Sequence, residues 1–128
     1  MHGSMLAYGP MLRLLAGLAA LAASGTLLAA GSTSSSSSSA AVATTLAPGK
    51  PYEACMTLGA GDQRRWYFKA DGPVDFDIHY HEGDQVTYAV KRDGMRGDGG
   101  SFVAKSAQDY CWTWTASKAT KLEAKISP

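Results

Sequence analysis

Cysteine is scarce in this chain. There are two, Cys55 and Cys111, and no C-x-x-C pair, which removes the usual dithiol redox motif. Charge is missing from the first third, where Arg13 is the sole charged side chain before Lys50. From Lys50 to Pro128, eleven Lys and Arg face eleven Asp and Glu, so this part has no formal net charge. Without a basic field, neither nucleic acid nor an anionic membrane surface is an expected partner. No run of ten or more residues beyond Gly49 has helical periodicity. No Ser–His–Asp order can be singled out and no second His or Cys cluster completes a site, so the chain is read as non-enzymatic. No internal repeat is visible.

What is present divides the chain into three. Residues 1–31 read as a signal peptide or apolar N-terminal helix: Arg13 precedes an apolar run to Ala30, and Ala29-Ala30-Gly31 make a small-residue exit. Met11-Leu12-Arg13 is a more conventional start than Met1. Ser32 stands where a lipoprotein signal would need cysteine, so no lipid anchor is expected. The rival is an uncleaved anchor helix, because the apolar length approaches the roughly twenty residues a bilayer needs. With cleavage, the mature protein begins between about Ala23 and Ser35. Residues 32–50 are mainly Ser, Thr and Ala and read as a flexible linker, too poor in large apolar residues to offset their ordering entropy. Residues 51–128 form the domain. They suffice for one modest core, of the size that often takes a covalent staple.

Turn residues punctuate the domain regularly. Tyr52–Leu58, Arg65–Ala70, Val74–His81, Gln85–Lys91, Ser101–Lys105, Asp109–Thr115 and Thr120–Ile126 read as strands, with Arg92–Gly100 as a long Gly-rich loop. That makes an all-β, antiparallel β-sandwich of about seven strands. Its organising stretch is Asp109–Thr115, where Tyr110, Trp112 and Trp114 share a face that must be covered. Alternation points Val74, Phe76, Ile78 and Tyr80 one way and Asp75, Asp77, His79 and His81 the other. Trp66, Phe68, Val86, Tyr88, Val90, Phe102, Leu122 and Ile126 complete the expected core. The three tryptophans read as core rather than as sugar-stacking platforms. Gly83 and Gly94 are read as positive-φ turn glycines.

Several stretches together carry a resemblance: the early Cys55, Asp71-Gly72-Pro73-Val74-Asp75-Phe76-Asp77-Ile78, Gly99-Gly100-Ser101-Phe102-Val103-Ala104, and Tyr110-Cys111-Trp112-Thr113-Trp114. Over Tyr52 to Ile126 they resemble a GOLD-type β-sandwich, the lumenal domain of transmembrane cargo receptors of the early secretory pathway. In that family a cysteine on the first strand is bonded to one in a Tyr-containing late strand, and Cys55 and Cys111 match those positions. No coiled coil, membrane span or cytosolic tail signal follows here, so receptor function is not expected to carry over. The chain is also similar to bacterial exported proteins with an Asp-Phe-x-Ile-His-Tyr-His stretch.

Read from the residues alone, two cysteines behind a signal peptide imply a Cys55–Cys111 disulfide. A free buried thiol pair and a metal–thiolate site are the rivals. A bridge would put the two Cα atoms about 4.4–6.8 Å apart. His79-Tyr80-His81-Glu82-Gly83-Asp84 is the stretch with most chemical promise. His79, His81 and Asp77 share an outward face, with Glu82 and Asp84 in the following turn, a donor set that suits zinc or copper(II). The bland reading is a solvated strand face. Arg96-Gly97-Asp98 spells an adhesion tripeptide in the presumed loop, and Arg92, Arg96 and Asp98 make that loop a candidate interaction element, with glycines that a turn alone would explain. Lys91, Arg92, Arg96 and Lys105 form a local basic patch diluted by Asp93 and Asp98. The expectation is therefore an exported, periplasmic or secreted, binding or interaction module for a protein or small-molecule ligand, without a cofactor. Its membrane contact would come only through an uncleaved N-terminus. The alternative is a periplasmic zinc- or copper-binding protein using the His79/His81 face.

Overall fold

The computed structural model describes residues 38–128. The signal or anchor segment and the first part of the linker lie outside them. Six antiparallel strands are present: β1 (Ala40–Leu46), β2 (Tyr52–Leu58), β3 (Gln63–Glu82), β4 (Gln85–Val103), β5 (Gln108–Thr115) and β6 (Thr120–Ser127). Among the described residues there is no helix, and hence none long and apolar enough to cross a membrane.

The long hairpin β3–β4 organises the fold. Its first half pairs β6 along Arg65–Ala70, and its second half pairs β5 along Asp75–His79. β4 follows β3 on the other side, with the pairing interrupted between Lys69 and Val74. The sheet order β1-β6-β3-β5-β2 therefore bends at mid-β3 into two four-stranded layers. Ring contacts show the layers closing on each other. Phe76, beyond the bend, lies 4.6 Å from Trp66 and 5.0 Å from Phe68, both before it.

The seven expected strands become five, because two turn signals act inside strands, and a strand that was not expected brings the number to six. Asp71-Gly72-Pro73 lies within β3, where its pairing passes from β6 to β5. Pro73 has no ladder bond to give up there, which is where a strand tolerates proline. The expected loop Arg92–Gly100 is not a loop but the middle of β4. Its glycines permit close approach: a Cβ on Gly99 would stand 3.0 Å from the Trp66 carbonyl oxygen and 3.3 Å from the Tyr67 Cβ.

A third difference lies before the domain. Ala40–Leu46, read as linker, is β1, paired in full register with β6. Val42 and Leu46 enter the core beside Leu122, Ala124 and Ile126. Burying each large side chain contributes about 1.5–3 kcal/mol. The strand exists because β6 offers it an edge, not because its Ala/Thr-rich sequence favours one.

The aromatic face of β5 is buried as expected, and Tyr110, Trp112 and Trp114 are among the largest fully buried side chains. The Tyr110 hydroxyl donates to the Ser106 carbonyl at 2.8 Å, satisfying its polar end. Gly83 and Gly94 take φ of 58° and 67°, the left-handed values expected of them.

Candidate functional site

The register of β3 against β4 decides what the surface carries. Ile78 pairs Val90, but His79 pairs Tyr88, leaving Ala89 as an extra residue on β4. A one-residue bulge exchanges the faces of every residue beyond it. Val90 therefore points to the core, while Tyr88 and Val86 turn outward and stand 52% and 41% exposed. Both were expected inside. The small Thr87 takes the inward place instead. A cleft of about 450 Å³ opens beside it, lined by Tyr80, Phe102, Tyr110, Thr87 and Lys105 among others. The outer edge of β4 has no hydrogen-bonded neighbour strand among the described residues.

His79 was expected to be exposed, and it is not: 6% of its surface is accessible. It is on the outward face as alternation requires, but in a central strand, between β5 and β4. The rings of His81 and Tyr88 lie 5.1 and 6.0 Å away. Its Nδ1 is 2.6 Å from Asp77 Oδ1, and its Nε2 is 3.8 Å from Glu53 Oε1. The Thr113 hydroxyl lies 3.4 Å from both the imidazole Nδ1 and Glu53 Oε1.

The cysteines meet directly. Cys55 and Cys111 are register partners on β2 and β5 and form a disulfide with Cα atoms 4.0 Å apart. That is shorter than the expected 4.4–6.8 Å span, because the bridge joins adjacent strands at a directly opposed pair rather than spanning the layers. Cys111 is in turn the register partner of His79. Glu53, Cys55, Cys111, Thr113, Asp77 and His79 thus share one outer patch across three strands.

The five expected metal ligands do not converge. Asp77 and His79 pair with each other. His81 is exposed, and Glu82 accepts a 3.3 Å hydrogen bond from Gln108. Among the described residues, the one group of three potential ligands with donor atoms within 4.8 Å of one another is Glu53, Cys55 and Cys111. Glu53 escaped sequence reading because only pairing of β2 with β5 brings it to His79. The one signal was its place two residues before Cys55, on the same face.

Arg96-Gly97-Asp98 sits within paired β4, with Gly97 opposite Lys69 and Asp98 opposite Phe68. Asp98 lies 3.6 Å from Arg92, and Arg96 donates to the Asp71 carbonyl. The tripeptide is thus held flat along the sheet rather than offered at a loop tip. Lys91 lies over the Tyr88 ring, 4.8 Å from its centroid. On the opposite layer, Glu123 beside Lys69 holds its ammonium above the usual lysine value, an exposed pair that solvent largely screens.

No family model matches the chain, and no curated protein matches it in sequence. Solved structures share its fold. A periplasmic inhibitor of g-type lysozyme from Aeromonas hydrophila superposes with a TM-score of 0.52 at 12% identity, over 72% of this chain and 87% of that one. The pre-peptidase C-terminal domain of a Bacillus anthracis collagenase does so with a TM-score of 0.51, also at 12% identity, over 69% and 86%. At such identities the likeness establishes an antiparallel, sandwich-like all-β fold.

Proposed function

We infer that this is an exported, non-enzymatic β-sandwich module that binds a partner protein along the edge of β4. The observation that carries this reading is the edge of Gln85–Val90, which has no neighbour strand among the described residues, with Val86 and Tyr88 exposed beside the Tyr80–Phe102–Tyr110 cleft. Sheet proteins usually guard an edge with Lys or Pro, and this segment has neither. An extended segment of a partner adds there as a further strand. Its backbone pairs with β4, and an apolar side chain enters the cleft. Lys91 and Lys105 favour an acidic residue at its flank.

The leader-like N-terminus and the disulfide support a periplasmic or secreted location. A GOLD-like identity for the sandwich belongs to the same reading and rests on the bridge between an early and a late strand. The A. hydrophila inhibitor supplies a precedent for this fold meeting a protein outside the cytoplasm.

Selection of a random peptide library against the folded protein tests the reading, with purified g-type lysozyme as a second, defined probe. Selected peptides should be extended, apolar with acidic flanks, and should shift the amide resonances of Gln85–Lys91. Tyr88→Glu should abolish their binding. Binders that leave β4 unshifted, or a selection that yields none while lysozyme also fails to bind, would sink the proposal.

A further inference from the structure

The patch around the disulfide holds more ligating atoms than a staple needs. We propose that the Cys55–Cys111 bridge masks a thiophilic divalent-cation site, which opens on reduction and takes zinc through Cys55, Cys111, Glu53 and His79. Four observations meet here. The two cysteines are directly opposed on β2 and β5, and β5 is also paired to β3. Breaking the sulfur–sulfur bond therefore leaves both thiols held by the ladder. Opposed residues keep Cβ atoms about 4.5–5.5 Å apart. Two zinc–sulfur bonds of about 2.3 Å at a tetrahedral angle need sulfurs roughly 3.8 Å apart, which side-chain rotation supplies.

The Glu53 carboxylate already has an oxygen within 4.8 Å of both sulfurs. His79 is the neighbour of Cys111 on the next strand, and its Nε2 is 3.8 Å from that same carboxylate. Asp77 engages the other ring nitrogen at 2.6 Å. A carboxylate on Nδ1 fixes the imidazole with Nε2 free to ligate, the arrangement usual behind metal-bound histidine. Two sulfurs, one nitrogen and one carboxylate oxygen suit tetrahedral zinc and disfavour hard cations. Asp77 is thus a positioning residue, and His81, Glu82 and Asp84 stand outside the set.

The opening step is thiol–disulfide exchange with a dithiol reductant. Its thiolate attacks Sγ of Cys55, the exposed partner, and Cys111 leaves as thiolate. The second thiol of the reductant then attacks the mixed disulfide. Cys55 is released, and the reductant departs as its own disulfide, having supplied two electrons and two protons. Zinc then displaces one proton from each cysteine thiol. The bridge closes a 56-residue separation, and the cation restores part of the constraint that reduction removes.

The test is cobalt(II) titration of the protein before and after reduction with a phosphine, which does not itself chelate the ion as a dithiol would. Strand content is followed by circular dichroism. The reduced protein should keep its strand signal and bind one equivalent of cobalt with a thiolate-to-metal charge-transfer band that zinc then abolishes. The oxidised protein should show no such band. Asp77→Asn should weaken binding about 10–100-fold while keeping the band, and His79→Ala should weaken it at least as much. Loss of strand signal on reduction would overturn the proposal. So would a folded reduced protein without the band, or equal affinity in the His79→Ala variant.

Discussion

At the scale of single residues, two positions show how close the backbone and the polar groups come to their limits. Gly99 is glycine because β4 lies against the Trp66 carbonyl, where a Cβ would be only 3.0 Å away. Gly99→Val forces the hairpin apart at its most aromatic point. Urea unfolding should show a loss of about 1–3 kcal/mol, the usual cost of overpacking. His79 is buried with its Nδ1 committed to Asp77. Asp77→Ala removes that partner from a nearly inaccessible imidazole and should cost about 1–3 kcal/mol. Asp77→Asn, which keeps an acceptor, should cost less. Equal losses in the two variants would show that the contact contributes only packing.

At the scale of elements, β1 and the β4 bulge matter most. β1 is an Ala/Thr segment whose burial is concentrated in Val42 and Leu46. Leu46→Ala should destabilise the folded protein by about 2–5 kcal/mol in chemical denaturation, the range for truncating a buried leucine. If the segment were the solvated linker its composition suggests, the same substitution would change nothing. Ala89 is the extra residue that turns Tyr88 outward. Deleting it restores strict alternation and turns Tyr88 to the inward face of β4. Peptide binding at the β4 edge should then be lost, and Tyr88 should become less accessible to iodination. Undiminished peptide binding by a folded deletion variant would separate the edge from the function.

At the scale of the whole molecule, stability rests on one aromatic core shared by two layers and on one covalent link between neighbouring strands. The Cys55→Ser, Cys111→Ser double variant should lose about 4 kcal/mol and remain folded, since the bridge joins strands that the ladder already aligns. The melting temperature and strand signal of the double variant measure both. Export is an expectation that rests on Arg13 and the apolar run after it, and N-terminal sequencing of secreted material should find a start between about Ala23 and Ser35. Recovery of an intact Met1 or Met11 terminus in the membrane fraction would favour an anchor instead.

By itself, the sequence determined the class of fold, the inward face of β5, and the faces of Phe76, Ile78, Asp77 and His79. Each follows from period-two alternation, a local property. It also named Cys55 and Cys111 as the one possible pair within the chain, but that they are bonded and not free or metal-held was decided by the register of β2 on β5. Whether Asp71-Gly72-Pro73 ends a strand or bends one was decided by tertiary structure, since that depends on where β3 exchanges β6 for β5. The same holds for Arg92–Gly100, where Gly99 and Gly100 serve close packing over Trp66 and Gly94 alone keeps the left-handed conformation of a turn. β1 was invisible because a weak strand former is stabilised by the edge it meets. His79 was placed on the right face but given the wrong exposure, because alternation assigns a side, while neighbouring strands decide what covers it. Tyr88 and Val86 were given the wrong side altogether, because the single bulged residue Ala89 reverses alternation between them and Val90 and leaves no mark in the residue types around it.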